Sequence, residues 1–444
     1  MSKPVVELDK PAIRPPSSAR YILVLLFIAN LLNFYDRALP ATLLEPIKKA
    51  FGLDDTQVGI LASAFVIVAA IAGIPLGRLA DRIARKSVIG WGLLLWSVFT
   101  ALGGILTSFW GFFATRVGVG VGEASFDPAT GSLVSDLYPT ERRARATALY
   151  TLGFPIGTFL AYITAGSVAV AFNSWRAPFL MAAIPGVIIA VLVLRLREPK
   201  RGAADPTAPA APTAAKLSFG KLLRIRSLYG LIVAFAGYNF AAYAIGTFLT
   251  PVLQRYYGLG LVTAGLISGV VIGITGLIGL VIGGRLLDRA ARRSSSARVL
   301  VAALCLIVAA PLALIAFAAG QSVLWQLVLF LSLSYLLGTI YLASAIPAVA
   351  DVVGPRQRST ALGIIFALGY LLGGAGGPIA IGLLSDSLTR SSSGLSAAAA
   401  SAHGLQGSMM ILVPIGFLVA GIGMLITSRT VTKDHAVLVS GETI

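Results

Sequence analysis

Apolar stretches of about twenty residues recur along the entire chain, and this repetition limits the fold more than any other feature. An α-helix needs about 20 such residues to cross a hydrocarbon core of about 30 Å. Twelve of these stretches can be distinguished, and none alternates as a membrane-spanning strand would. Only helices and closed barrels satisfy their own backbone hydrogen bonds in lipid. The sequence therefore predicts an all-α membrane protein with twelve transmembrane helices.

Composition agrees, because 57% of the residues are hydrophobic and only 12% are charged, about half the charge of a typical soluble domain. The predicted spans are Tyr21–Leu44, Thr56–Leu79, Ser87–Leu106, Trp110–Leu133, Thr147–Val170, Ala177–Leu196, Leu228–Leu253, Leu261–Leu286, Val299–Ala319, Val323–Val349, Thr360–Leu384 and Leu405–Ile426.

Basic residues predict the orientation. With both termini on one side, 28 of the 35 Lys and Arg residues fall on that side and five fall in the opposite loops. Cytoplasmic loops are enriched in Lys and Arg, so we expect a multi-pass protein of a bacterial inner membrane with cytoplasmic termini. The net charge of +17 is spread between apolar stretches, so the expected partner is the lipid bilayer and not a nucleic acid. We also expect a monomer.

The longest connection divides the chain into two bundles. The expected organisation is an N-terminal tail 1–20, a six-helix bundle 21–196, a linker 197–227, a second six-helix bundle 228–428 and a C-terminal tail 429–444. Within the linker, residues 218–227 alternate apolar and basic residues at helical spacing. This pattern fits a short interfacial helix or simply the beginning of the seventh span.

An internal repeat relates the two bundles. Gly77-Arg-Leu-Ala-Asp81-Arg82-Ile-Ala-Arg85-Lys86 ends the second span, and Gly284-Arg-Leu-Leu-Asp288-Arg289-Ala-Ala-Arg292-Arg293 ends the eighth. Arg145-Ala-Thr147 and Arg358-Ser-Thr360 open the fifth and eleventh spans in the same way. Two pseudo-symmetric six-helix halves with a cavity between them form the architecture of an alternating-access carrier.

The repeated segment resembles the signature loop of the major facilitator superfamily, although Ala84 stands where that family usually has Gly. Asp81 and Asp288 can each face the positive N-terminus of a helix in the other half, near Thr360 and Thr147 respectively. Such contacts would close the cytoplasmic side. The alternative is that both carboxylates pair only with local arginines.

Four ionisable residues are expected inside the membrane: Asp36 and Arg37 in the first span, and Arg116 and Glu123 in the fourth. Buried charges are costly unless they are paired or hydrated, so they indicate a functional site. Helical rise and side-chain direction favour the pairs Asp36–Arg116 and Arg37–Glu123. Asp36 and Glu123 are candidate proton sites, and the two arginines are candidates for tuning them or for holding a substrate anion. The alternative is a static ion-pair network.

Other polar residues within the spans are candidates for a substrate cavity, although packing is the more common role for any one of them. They are Asn33, Tyr35, Asn239, Tyr243, Thr247, Tyr335, Tyr341 and Tyr370.

The run Asn33-Phe-Tyr-Asp36-Arg37, with Gly122-Glu123, resembles the Spinster-like transporters. That resemblance implies proton-coupled movement of lysophospholipids or sphingosine-phosphate-type lipids, with the proton as the coupling ion and no cofactor. Organic anion symporters also carry Asp-Arg in their first span, and a drug efflux antiporter of the same superfamily is a further alternative. A membrane enzyme or a channel is the rival from another class. The sequence has no evident nucleophile–base group and no cluster of metal ligands.

Overall fold

The computed structural model describes residues 17–201, 203–204, 222, 224–354 and 357–440. Those residues form helices joined by short turns, with no β-strand among them. Residues 1–16 of the predicted tail 1–20 and half of the proposed interfacial helix at 218–227 lie outside the described residues.

Each predicted span corresponds to one helix or to a run of consecutive helices. Spans 1, 2 and 3 are Ser17–Thr42, Asp55–Arg82 and Arg85–Gly103, with a loop helix Leu44–Phe51 after span 1. Span 4 is Phe109–Ala124 plus Phe126–Leu137, span 5 is Thr140–Thr151 plus Gly153–Ala171, and span 6 is Ala177–Leu194. Span 7 is Arg226–Arg255, span 9 is Ser295–Phe317, span 10 is Leu324–Ile340 plus Leu342–Val352, and span 12 is Ala397–Ser440.

Spans 8 and 11 each contain a π-helical segment near their middle. Span 8 is Leu261–Ser268, the π-helical Gly269–Ile274 and Thr275–Ala291. Span 11 is Arg358–Gly369, the π-helical Tyr370–Ala375 and Gly376–Ser391.

Eleven helical stretches among the described residues are long and apolar enough to cross a membrane. Span 4 is the twelfth, divided at Ser125 into pieces too short to qualify alone. Ser125 Oγ donates to Gly122 O at 2.7 Å instead of capping the helix that follows. The prediction of a twelve-span all-α fold is confirmed. Span 12 continues beyond its predicted end at Ile426, so residues 429–440 of the expected tail are helical.

The two halves meet most closely at the face opposite the termini, called here the opposite face. Span 2 packs on span 11 there, and span 5 packs on span 8. A Cβ atom at Gly59 would lie closer than 3.0 Å to the backbone of Pro378, so only glycine permits this approach. Further along span 2, Gly73 has open space around it. The halves therefore touch at the opposite face and separate toward the face that carries both termini.

Candidate functional site

A cavity of about 470 Å³ lies between the halves and is lined by both of them. Charged side chains come from the first half, whereas the second half supplies mainly aromatic and small polar side chains. Five predicted cavity residues line it: Asn239, Tyr243, Thr247, Tyr335 and Tyr370. The wall is thus amphiphilic, with its charges on one side.

Three predicted cavity residues do not line it. Tyr341 is fully buried and packs on Tyr238, with ring centroids 5.4 Å apart. The Tyr35 hydroxyl is engaged with Thr164 Oγ1 at 2.9 Å, and Asn33 is buried within the first half. These three residues serve packing, which the sequence does not distinguish from cavity lining.

Arg37 and Glu123 form the predicted ion pair, with Arg37 Nε 2.6 Å from Glu123 Oε2. Glu123 is 1% exposed, and its second oxygen has no hydrogen-bond partner among the described residues. The Arg37 guanidinium also lies over the rings of Phe34 and Phe65, at 4.6 and 5.2 Å from their centroids. One charge pair thus joins spans 1 and 4 directly beside the cavity.

The other predicted pair is not in direct contact. No ion pair within 4.0 Å joins Asp36 and Arg116, both of which are described. Asp36 Oδ2 instead accepts a hydrogen bond from Thr100 at 3.3 Å. Arg116 lies 5.2 Å from the ring centroids of both Phe112 and Phe179. Both side chains line the cavity and interact electrostatically.

Sequence reasoning missed Asp127, a further acid that lines the cavity. It follows Glu123 by four residues, which places the two side chains on neighbouring turns of span 4. That spacing, together with a carboxylate inside a predicted span, was the signal that could have revealed it.

A network of ions and helix caps closes the opposite face. The Asp386 carboxylate, at the end of span 11, accepts hydrogen bonds from Asp55 N at 3.1 Å, Thr56 N at 2.8 Å and Thr56 Oγ1 at 2.5 Å. It therefore caps the N-terminus of span 2, whose first N–H groups have no partner within the helix.

Asp55 is the centre of this network. It is 1% exposed and contacts Lys48 Nζ at 2.6 Å, Arg255 Nη1 at 2.8 Å and Ser385 Oγ at 2.7 Å. Arg255 also reaches Glu45 at 2.6 Å. Because Arg255, Ser385 and Asp386 belong to the second half, the network links the halves. The sequence locates these residues near the ends of predicted spans but does not predict their contacts.

The profile of the Major Facilitator Superfamily matches residues 26–378, most of the twelve-span fold. The chain belongs to the Major Facilitator Superfamily. It is 34% identical to an MFS-type efflux pump of Mycolicibacterium smegmatis, over 88% of this chain and 90% of that protein. It is 28% identical to Protein spinster homolog 1 of Xenopus laevis, over 93% of this chain and 81% of that protein.

Among solved structures, the fold is similar to a bacterial homolog of the human lysosomal transporter Spinster, crystallised in an inward-facing and unoccupied conformation. The TM-score is 0.85 at 24% identity, over 95% of this chain and 99% of that chain. The predicted resemblance to Spinster-like proteins is confirmed, and the protein is a transporter and not an enzyme.

In this major facilitator transporter, the signature loops at the termini face are open to solvent. Asp81, Arg82, Asp288, Arg289 and Arg292 are exposed. Across the described residues, neither carboxylate contacts Thr360, Thr147 or a local arginine. The motif glycines differ, since a Cβ on Gly77 would touch Pro128 at 3.6 Å and one on Gly284 would meet open space.

Arg85, which the sequence grouped with these loop residues, has a different environment. It is 1% exposed, forms an ion pair with Asp136 and contacts Glu198 Oε1 at 2.7 Å. It therefore ties spans 3, 4 and 6 together within the first half. Arg298 and Asp351, 2.6 Å apart, join spans 9 and 10 in the second half in the same way.

Proposed function

We propose that the protein is a proton-coupled secondary transporter that moves an amphiphilic, lipid-like anion of the lysophospholipid or sphingosine-phosphate type by alternating access. The Arg37–Glu123 pair, with its buried carboxylate beside an amphiphilic cavity, carries the proposal. The anionic group would bind the arginines, and the apolar tail would lie against the aromatic side chains of the second half. Spinster-type relatives support this assignment.

Proton coupling follows from competition for Arg37. A buried carboxylate stays ionised only while a cation or hydrogen bonds compensate it. When a substrate anion recruits the guanidinium, Glu123 loses its partner and takes up a proton, which removes the uncompensated charge. Asp36, which also lines the cavity, is the second proposed proton site. The coupling ion is thus a proton, and no cofactor is required.

The proposed gating depends on carboxylate contacts at the two ends of the helix pair formed by spans 2 and 11. In this structure Asp386 caps span 2 at the opposite face, whereas Asp81 at the termini face is exposed. In the alternate state we expect Asp81 to face the N-terminus of span 11, and Asp288 that of span 5, while Asp386 is released. With the termini in the cytoplasm, as the basic loops favour, this structure is inward-open.

The test is substrate uptake by proteoliposomes under an imposed proton gradient. We expect Asp36→Asn and Glu123→Gln each to abolish gradient-driven flux, since neither amide can carry the proton. Asp54→Asn is a matched control, because Asp54 is exposed, lies outside the cavity and caps span 2 with a side chain that Asn replaces well. Full pH-dependent flux in either cavity variant would remove that residue from the mechanism.

The Mycolicibacterium smegmatis relative, named an efflux pump, favours a second candidate, a drug efflux antiporter. Here the substrate would be an amphiphilic drug that leaves in exchange for protons. Proton-driven extrusion of such a drug, with no uptake of lysolipids, would establish this alternative.

A further inference from the structure

Asp127 is a cavity acid that the proton mechanism above does not use. It lies two positions into the helix Phe126–Leu137, where the halves of span 4 join, and its side chain is exposed to the cavity. An acid at this position often stabilises a helix N-terminus. Within the described part of the chain, however, its carboxylate accepts no hydrogen bond from that helix or from any other group. It is therefore available to a ligand.

The charges around the cavity do not balance. Arg37 is neutralised by Glu123, which leaves Asp36 and Asp127 against Arg116 alone among the charged lining residues. With all groups ionised, the cavity holds one negative charge in excess. An excess charge in a site of low dielectric constant favours a ligand of the opposite sign or a proton.

Asp127 lies close to an anion site as well. It interacts electrostatically with Arg37, although no ion pair within 4.0 Å joins them. Arg37 contacts Glu123 through Nε, and its two Nη groups make no hydrogen bond with other described residues. Donors for an anion and an acceptor for a cation are thus presented to the same cavity, on spans 1 and 4.

We infer that Asp127 is a specificity-determining residue that binds a protonated amine of the substrate, beside an anionic group held by Arg37. The ligand class is an amphiphile whose polar end carries both charges a few bonds apart. This inference rests on the proposed function, because it takes the same cavity as the substrate site.

The experiment compares two probes with identical acyl chains, lysophosphatidylethanolamine and lysophosphatidic acid, in proteoliposomes. The wild type should transport the amine-bearing lipid with the higher kcat/KM. Asp127→Asn should lower that value by roughly tenfold or more, because a charged hydrogen bond is lost, and should leave lysophosphatidic acid unchanged or improved. Asp127→Glu, which keeps the carboxylate, should retain the preference for lysophosphatidylethanolamine. Asp54→Asn should behave as the wild type.

The possible results separate the two proposals. An unchanged ratio of the two kcat/KM values in Asp127→Asn overturns the inference and leaves the proposed function intact. Equal losses for both lipids overturn it too, because they would show a structural role in span 4. If the wild type transports neither lipid, the lysophospholipid form of the proposed function fails, and the inference fails with it.

Discussion

Arg37 is held in a manner that allows it to move. A single short contact binds it to Glu123, while its guanidinium lies over two phenylalanine rings. An ion pair is strongly directional, but attraction to an aromatic face tolerates sliding. Arg37 can thus change its charged partner while it keeps part of its stabilisation. Such mobility is what the proposed mechanism requires of Arg37, which would exchange Glu123 for a substrate anion.

Glu198 offers a test of stability that is separate from transport. Burial raises its pKa, but hydrogen bonds from the Arg85 side chain and from the backbone of Lys86 and Arg85 outweigh burial and lower that pKa below its ordinary value of 4.5. The ionised Glu198 carboxylate therefore stabilises the folded state above pH 4.5, and this stabilisation is lost as the pH falls through the folded-state pKa. We expect Glu198→Gln to lose about 1.5–3 kcal/mol of stability at neutral pH.

Thermal unfolding of the purified protein across pH checks this expectation. The Tm difference between Glu198→Gln and the wild type should shrink below pH 4.5, and Asp54→Asn should show no comparable change. A Tm difference that stays constant down to acid pH would contradict the assignment.

The sequence predicted the charged residues of the site better than its polar ones. A charge inside a span is costly and therefore conspicuous, which is why Asp36, Arg37, Arg116 and Glu123 were found. Tyrosine side chains occur both in cavity walls and in packed helix interfaces. The sequence therefore did not show that Tyr370 lines the cavity and Tyr341 does not. Contacts within 4 Å also depend on side-chain rotamers, so the sequence did not show that Asp36 and Arg116 interact without direct contact.

The π-helical interruptions of spans 8 and 11 are an element-scale feature that the sequence did not predict. The π-helical segments of spans 8 and 11 lie where these spans contact spans 5 and 2 of the first half. A π-helical turn holds one more residue than an α-helical turn and is frequent at functional sites. Tyr370 begins one of these segments and lines the cavity. Apolar periodicity predicts a span but does not resolve one additional residue within it.

Span 2 permits a matched pair of glycine substitutions. Gly59→Ala should push spans 2 and 11 apart at the opposite face, because its Cβ would collide with the backbone of Pro378. Gly73→Ala, on the same helix, meets open space and should only raise helix propensity. We therefore expect Gly59→Ala alone to increase access to the cavity from the opposite face.

Labelling of an introduced thiol measures that access. The chain has a single cysteine, so Cys305→Ser gives a background without cysteine. Ala242→Cys then places a thiol in the cavity wall. Faster labelling by an impermeant reagent from the opposite face should appear with Gly59→Ala and not with Gly73→Ala. Equal rates in both would show that this helix contact does not control opening.

At the opposite face, one carboxylate holds the two halves together across the antiparallel pair of spans 2 and 11. Asp386 reaches the N-terminus of span 2 in this structure, and we expect Asp81 to reach the N-terminus of span 11 in the alternate one. A cap of this kind contributes about 0.5–2 kcal/mol, so losing either one should change the conformational populations between about twofold and thirtyfold.

The two variants should act in opposite directions. Asp386→Ala should raise labelling of the cavity thiol from the opposite face, because the closed end loses its cap. Asp81→Ala should raise labelling from the termini face, because the alternate state loses the cap that Asp81 is expected to provide. If both variants increased labelling from the same face, this reciprocal arrangement would be disproved.

The number of spans and the division into halves were predictable, because hydrocarbon thickness fixes the length of an apolar stretch and because the repeated loop marks both halves. The network at the opposite face was not predictable. It joins Asp55 to Arg255 and Ser385, residues that are distant in the sequence and follow no repeat. Pairing between halves depends on their conformation, which a single apolar pattern does not encode.

The position of the Asp55 network at one surface has a consequence for opening at that surface. Lys48, Arg255 and Glu45 are 10–24% exposed, so dissolved ions can reach their partners. Electrolyte weakens exposed ion pairs, with a screening length of about 8 Å at 0.15 M. We therefore expect the ionic strength of the fluid that bathes this surface to alter how readily the protein opens toward it.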